Sequence, residues 1–276
     1  MFDPKNIILI RIGSTNKIFE YYTGIDIINN YSFAEDLQNV TIFNGDLTKI
    51  CSGIFENTFI SMPINQNPAS GALEEINCGL GYAKAGYRDI IVIHNFDVHF
   101  LTEQGFVKAV DNFIDSGKQF SAGVDCNELV APDCMIFRKE FLKQILPFEF
   151  KVCDFRLQQQ NLVEKYKPTS LGFENTEEYI LYTLVNKCIQ PELDHIKKLN
   201  KEVLDSRIEY SVLEFNKKVN EKLLEYYWHD MQRVELPRLE WTPEITLLHT
   251  HNMEYKKQLL KQYNITKGQI LEQFVK

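Results

Sequence analysis

Short runs of β-branched and aromatic residues alternate with helically spaced apolar positions through the first half of the chain, the pattern of an α/β sheet with helices on both faces. The runs are Ile7–Ile12, Val40–Phe43, Thr58–Met62, Ile90–Ile93 and Cys134–Phe137. Between the third and the fourth, Leu73, Ile76, Leu80 and Ala83 recur at helical spacing and predict one buried face of an amphipathic helix. Ser70 is placed to cap that helix, Glu74 and Glu75 to occupy its first turn at the positive end of the dipole, and Gly86 to end it. Ile90-Ile91-Val92-Ile93 is a continuous apolar run of the kind buried at the centre of a parallel sheet. Open sheets of this class bind ligands just beyond the carboxyl ends of their strands.

From Pro191 to about Met231 the pattern changes to one long helical stripe of Leu193, Ile196, Leu199, Val203, Val212, Phe215, Val219, Leu223 and Tyr227, with Lys and Glu between them. It contains no Gly or Pro after Pro191. Either a single rod or a helix pair broken around Asp205–Tyr210 satisfies the spacing, and the stripe needs cover from the first domain or from a second copy, as in a homodimer. Leu236-Pro237 and Trp241-Thr242-Pro243 make an irregular stretch before a short strand, Ile245–Leu248, and a final helix from about Asn252. The chain thus divides into an α/β unit over 1–190, a helical insert over 191–232 and a C-terminal segment over 233–276.

Composition narrows the functions this architecture could serve. The 276 residues, 44% hydrophobic and 25% charged with 19 Phe and 13 Tyr, are ample for a packed core and exclude a disordered or collagen-like chain. No run approaches the ~18 apolar residues of a membrane span. Lys5 followed by Ile7-Ile8-Leu9-Ile10 lacks a signal-peptide cleavage pattern and is expected to be a first strand. A cytoplasmic protein is expected. A net charge of −8 argues against nucleic acid as a partner, since that affinity comes largely from neutralising phosphates. The six cysteines show no C-x-x-C spacing and are expected to be reduced, mostly buried thiols.

Candidate chemistry concentrates after the fourth run, in Asn95-Phe96-Asp97-Val98-His99. If the chain stays extended there, Asn95, Asp97 and His99 fall on one side. A carboxylate and a histidine so placed can hold a divalent ion, and such an ion can neutralise a diphosphate. Equally, these groups can cap a neighbouring helix or face water.

These segments resemble the nucleotide-sugar-dependent glycosyltransferases of the GT-A fold, and the resemblance covers about residues 40–185 and 240–260. Asn77-Cys78-Gly79-Leu80 and Ala83 match the helix that precedes the family's metal-binding D-x-D motif, and Asn95-Phe96-Asp97 falls where D-x-D stands, with Asn95 in place of its first Asp. Asn44-Gly45-Asp46 follows the second strand, where similar enzymes read the nucleotide base. Cys134–Phe141 looks like the strand and helix after the acceptor-side loop. Gly172-Phe173-Glu174-Asn175-Thr176-Glu177 stands where inverting, family-2-like members carry an E-D pair whose Asp is the general base; Asn175 departs from it, since an amide accepts no proton at neutral pH. The same segment is similar to a G-x-E-N-x-E motif of the retaining polypeptide N-acetylgalactosaminyltransferases, which bind the donor sugar with it. Related enzymes also return a late histidine to the metal, a place matched by His249 and His251.

What the resemblance implies is a GT-A-like, mostly parallel sheet flanked by helices, in an enzyme moving a hexose or N-acetylhexosamine from a UDP-sugar to a hydroxyl of a glycan, lipid-linked or protein acceptor, as in polysaccharide biosynthesis. Asp97 with His249 or His251 would hold Mn²⁺ or Mg²⁺. Asp46 and Asn44 would contact the base, while Asn77 and Asn95 would line the donor site. Glu174 would orient sugar or acceptor, and Glu174, Glu177 and Asp125, in that order, are the candidate bases. Two rivals share the fold. One is a sugar-phosphate nucleotidyltransferase, for which Gly13-Ser14-Thr15-Asn16-Lys17 is a poor triphosphate loop. The other is a non-catalytic binding or assembly protein, motivated by Asn95 and Asn175.

Overall fold

The computed structural model describes residues 1–14, 27–45, 58–63, 68–100, 102–124, 130–146, 224–226, 231–233 and 247–249. In chain order these form β1 (Ile7–Ser14), β2 (Gln38–Asn44), β3 (Thr58–Met62), α1 (Pro68–Ala85), β4 (Ile90–Asn95), β5 (Val98–His99), α2 (Glu103–Ser116), β6 (Phe120–Val124), β7 (Val130–Arg138), α3 (Lys139–Ile145), β8 (Leu224–Tyr226), β9 (Met231–Arg233) and β10 (Leu247–His249). A seven-stranded sheet runs β3-β2-β1-β4-β7-β6-β8, and a three-stranded sheet runs β5-β10-β9. The pairs β3–β2, β2–β1, β1–β4 and β6–β8 are parallel, and β7 alone runs against both neighbours in the large sheet. The α/β class and the mostly parallel sheet with helices on both faces are as the sequence predicts.

Alternation along the central strands explains the two layers. Ile7 and Leu9 of β1, Ile90 and Val92 of β4 and Cys134 and Ile136 of β7 point to one face, where they bury against Phe106, Ala109, Val110 and Phe113 of α2. Thr102 caps α2 by accepting from the Gly105 N–H, and Gly117 closes it in the left-handed conformation at φ 68°. Both signals are plain in the sequence, yet α2 and β6 are absent from the elements it was expected to form. On the opposite face Leu73, Ile76, Leu80 and Ala83 of α1 are buried, as predicted. Gly79 lets this helix approach closely, since a β-carbon there would lie 2.9 Å from Ile10 Cγ2.

Three expectations change. First, α1 begins at Pro68, two residues before Ser70, so Glu74 and Glu75 stand beyond its first turn. Pro68 explains the earlier start, because its fixed φ and missing N–H suit a first helical turn. Second, the helical pattern expected through Met231 is broken: Leu224–Tyr226 pairs with β6 and Met231–Arg233 pairs with β10. The open edge of β6 offers backbone partners that outweigh a weak local preference. Residues 191–223 lie outside the described residues. Third, the late strand, described over Leu247–His249, runs one residue past the expected end at Leu248, and residues 245 and 246 lie outside the described residues.

Phe96, directly after β4, is the contact that joins the strand ends. Its N–H donates to Ile12 O at 3.0 Å, and its ring stacks on Phe43 at 5.9 Å between centroids. The ring also lies over Gly13, where an added β-carbon would fall 1.3 Å from Phe96 Cε1. Gly13→Ala is therefore expected to cost about 1–3 kcal/mol in urea denaturation by overpacking. In a Phe96→Ala background the same change should cost much less; equal costs in the two backgrounds would show that the ring does not sit there.

Candidate functional site

The four parallel strands β1 to β4 end on one edge of the sheet: Ser14 is in register with Asn44, Asn44 with Met62, and Ile12 with Asn95. From β1 the chain leads to β2 on one side, while β4 lies on the other, so the strand order reverses between β1 and β4. Such a switch point opens a crevice at the carboxyl edge where α/β sheets take ligands. Gly45 turns the chain away from β2 at a φ of 140°, a conformation open to glycine, with its N–H donating to Met62 O at 3.0 Å and its carbonyl accepting from the Ser61 hydroxyl.

Asn95-Phe96-Asp97 crosses this edge, but not as an extended run. The chain turns at Phe96 and Asp97 before β5. Asn95, Asp97 and His99 therefore do not line one side of a single strand, because Phe96 is drawn into the core over Gly13. Asn95 is half-buried at the end of β4, and Asp97 and His99 are buried. Asn44 is half-buried at the end of β2, and Asn77 is half-buried on α1. His249 lies in β10, opposite Val98 in the antiparallel pair with β5, so the late strand returns to the residue after Asp97. Asp46, Asp125, Glu174, Glu177 and His251 lie outside the described residues.

Four further groups at this edge escaped the sequence reading. Arg11 is only 1% exposed in β1, in register with Thr41 of β2 and His94 of β4. Its charge and its burial place it beside His94, whose imidazole is pushed down to about 4, first by desolvation and further by Arg11. A hydrogen bond between His94 Nδ1 and Asn95 O at 2.7 Å and the nearby Asp97 carboxylate offset part of that shift. Both Arg11 and His94 point to the α2 face, where His94 meets the edge of Phe100. There Tyr31 donates to Phe100 O at 2.6 Å, and Ser32 bonds the Glu103 carboxylate through its N–H at 2.6 Å and its hydroxyl at 2.7 Å. These bonds tie the segment before β2 to the start of α2.

On the α1 face, Glu75 is buried against the end of β2, where it accepts from the Asn44 backbone N–H. Desolvation, reinforced by Glu74, pushes its carboxyl up to about 8, and it in turn helps desolvation raise the Cys78 thiol. Asp133 of β7, 4% exposed, accepts from Asn95 Nδ2 at 3.4 Å. Single charged or polar residues inside apolar runs, as in Ile10-Arg11-Ile12, Ile93-His94 and Asp133-Cys134-Met135-Ile136, are the signal that could have found three of these groups.

Among the described residues no three His, Cys, Asp or Glu side chains are grouped as a closed metal centre. The acids at the edge suit a different mode, in which Mg²⁺ or Mn²⁺ is held by one or two carboxylates together with substrate phosphates and water. Cys78 and Cys134 are free thiols. No helix among the described residues is long and apolar enough to cross a membrane.

No family model matches the chain, and no curated protein does. Among solved structures, it is similar to mouse xyloside xylosyltransferase 1 at 9% identity, covering 90% of this chain and 98% of that one, with a TM-score of 0.48. A glycosyltransferase involved in glycosylating the major capsid of PBCV-1 is similar at 10% identity over 94% and 99% of the two chains, TM-score 0.43. A Pyrobaculum calidifontis mannosyltransferase, solved with GDP-mannose and Mn²⁺, is similar at 13% identity over 51% of this chain, TM-score 0.40; the match spans 46% of its own length.

Glu75 gives the edge a measurable signature. Its folded value of about 8 lies above its ordinary 4.5, so the folded state keeps a proton that the unfolded chain releases. Its contribution to stability is full below 4.5 and is lost as pH rises through about 8. His94 acts oppositely, its contribution being lost as pH falls from 6.5 through about 4, so the two oppose each other below 6.5 and Glu75 dominates above it. In urea denaturation, Glu75→Gln should remove a decline on the order of a few kcal/mol between pH 6.5 and 8. Parallel curves for the two proteins would mean that Glu75 is ionised in the fold.

Proposed function

We propose that this chain is a metal-assisted glycosyltransferase of the GT-A type, taking its sugar from a nucleotide diphosphate donor, with UDP as the nucleotide. The observation that carries the reading is the carboxyl edge at the β1/β4 switch point, onto which Asn95-Phe96-Asp97 turns a buried carboxylate while β10 returns beside β5. The residue pattern and the edge support each other: the segments that resemble donor-binding motifs, Asn44-Gly45 and Asn95-Phe96-Asp97, end on the same side of the sheet.

In this reading Asp46 and Asn44 contact the base, and Asn77 and Asn95 line the donor cleft. Asp97, with His249 or His251, holds Mn²⁺ or Mg²⁺. The bound ion supplies charge that offsets the negative charge growing on the departing diphosphate. Glu174 orients the sugar or the acceptor hydroxyl. If the configuration inverts, a carboxylate within hydrogen-bond reach takes the acceptor proton, with Glu174, Glu177 and Asp125 as candidates in that order. The acceptor is a hydroxyl of a glycan, lipid-linked or protein substrate, and the chain works in the cytoplasm.

Calorimetric titration with UDP and with GDP, each with Mn²⁺ and with EDTA, tests this directly. UDP should bind in Mn²⁺, bind at least tenfold more weakly in EDTA, and lose its metal dependence in Asp97→Ala. Binding of neither nucleotide would overturn the reading and favour a non-catalytic protein. Metal-independent binding would remove the ion from the mechanism, and a preference for GDP would change the donor.

A further inference from the structure

The peptide bond between Asn95 and Phe96 is where the chain leaves β4, and both of its polar groups are held. Its N–H, on Phe96, donates to Ile12 O of β1 at 3.0 Å. A trans peptide directs its C=O the opposite way, so Asn95 O faces the β7 side of the strand. The ladder between β4 and β7 has ended there, with His94 and Cys134 as its final pair. The carbonyl is met instead by the side chain of the preceding residue, His94, whose Nδ1 lies 2.7 Å from Asn95 O.

The partner decides which nitrogen carries the hydrogen. A carbonyl oxygen only accepts, so Nδ1 is the protonated nitrogen, and in a neutral ring Nε2 then carries the lone pair. Burial keeps the ring neutral, since His94 is 2% exposed. Arg11, in register on β1 and 1% exposed, adds a positive charge that opposes a second proton. The Asp97 carboxylate is close enough to act on the same ring in the opposite sense, so the imidazole, the held peptide and the acid that follows it form one cluster. Among the described residues Nε2 meets no hydrogen-bond partner, and the ring touches the edge of Phe100. The bond to Asn95 O is therefore the directional contact that His94 makes there.

We infer that His94 is the positioning residue of the acidic turn: through Nδ1–H it holds the Asn95–Phe96 peptide in the orientation that ends β4 and presents Asp97 at the carboxyl edge. Without that donor the carbonyl loses its hydrogen bond, and the peptide is free to rotate and carry Asp97 with it. The consequence for binding rests on the reading of the edge as a nucleotide-sugar site, whereas the grip on the peptide does not.

Asparagine and glutamine separate the two ring nitrogens. In His94→Asn the side-chain amide N–H stands where Nδ1–H stands, whereas in His94→Gln it reaches the place of Nε2. Both variants lose the imidazole and its contact with Phe100, so a role in packing alone would damage the two alike. Calorimetric titration with UDP in Mn²⁺ should give His94→Asn an affinity within about threefold of the wild type and His94→Gln one about tenfold weaker, the scale of one lost hydrogen bond. Urea denaturation checks that each is folded. In the wild type, long-range proton–nitrogen NMR correlation at neutral pH should show His94 protonated on Nδ1. Equal losses in the two variants, or an Nε2–H tautomer, would overturn the inference while leaving the donor site standing; should neither variant fold, the tautomer decides it. A wild type that binds no UDP overturns the donor-site reading, and an Nδ1–H tautomer would still uphold the grip on the turn.

Discussion

Phe96 can lie across β1 because Gly13 has no side chain, and much of the carboxyl edge depends on that contact. The ring enters the space a β-carbon would occupy and stacks on Phe43 of β2, so one side chain spans the ends of three adjacent strands. Its N–H, bonded to Ile12 O, continues the pairing of β1 and β4 one residue past the strand. With Phe96 held inward, the chain turns at Asp97 and starts β5 in a new sheet. A larger residue at position 13 would force the ring out, and the turn that presents Asp97 would have nothing to hold it.

Beneath this edge the two faces of the sheet carry opposite kinds of polar chemistry. On the α2 face, Arg11 and neutral His94 are buried side by side, while Tyr31, Ser32 and Glu103 close the layer above them. On the α1 face stand carboxyl groups, Glu75 and Asp133, each met by a donor from the end of a strand: the Asn44 backbone for Glu75 and the Asn95 side chain for Asp133. Buried groups of this kind lower stability unless their hydrogen bonds are made. The opposite ends of β1 and β4, at Ile7, Ile8 and Ile90 to Val92, are apolar.

The last strands complete both sheets. β8 completes the large sheet beside β6, whereas β9 and β10 join β5 to make the small one. Because β5 is two residues long and follows Asp97 directly, whatever fixes β10 also fixes the segment after the acidic turn. A distant part of the chain is thereby coupled to the site through backbone hydrogen bonds, independent of which side chains it carries.

Local pattern alone was enough for the strands β1 to β4 and the core of β7, and for the buried face of α1, because each buries a stripe of apolar residues whose period is set by backbone geometry. It also pointed to the carboxyl end of β4 as a candidate place for chemistry, because there a polar cluster follows a wholly apolar strand. Three things needed the tertiary structure. The turn at Phe96 depends on Gly13, eighty-odd positions earlier in the chain, and no local signal distinguishes it from an extended run. The strands β8 and β9 arise from residues whose spacing suits a helix equally well, and the open edges they pair with decided between the two. Glu75 looks like an ordinary surface acid in the sequence; only packing buries it, because burial and the partner that compensates it are properties of elements brought together by the sheet and not of neighbouring residues.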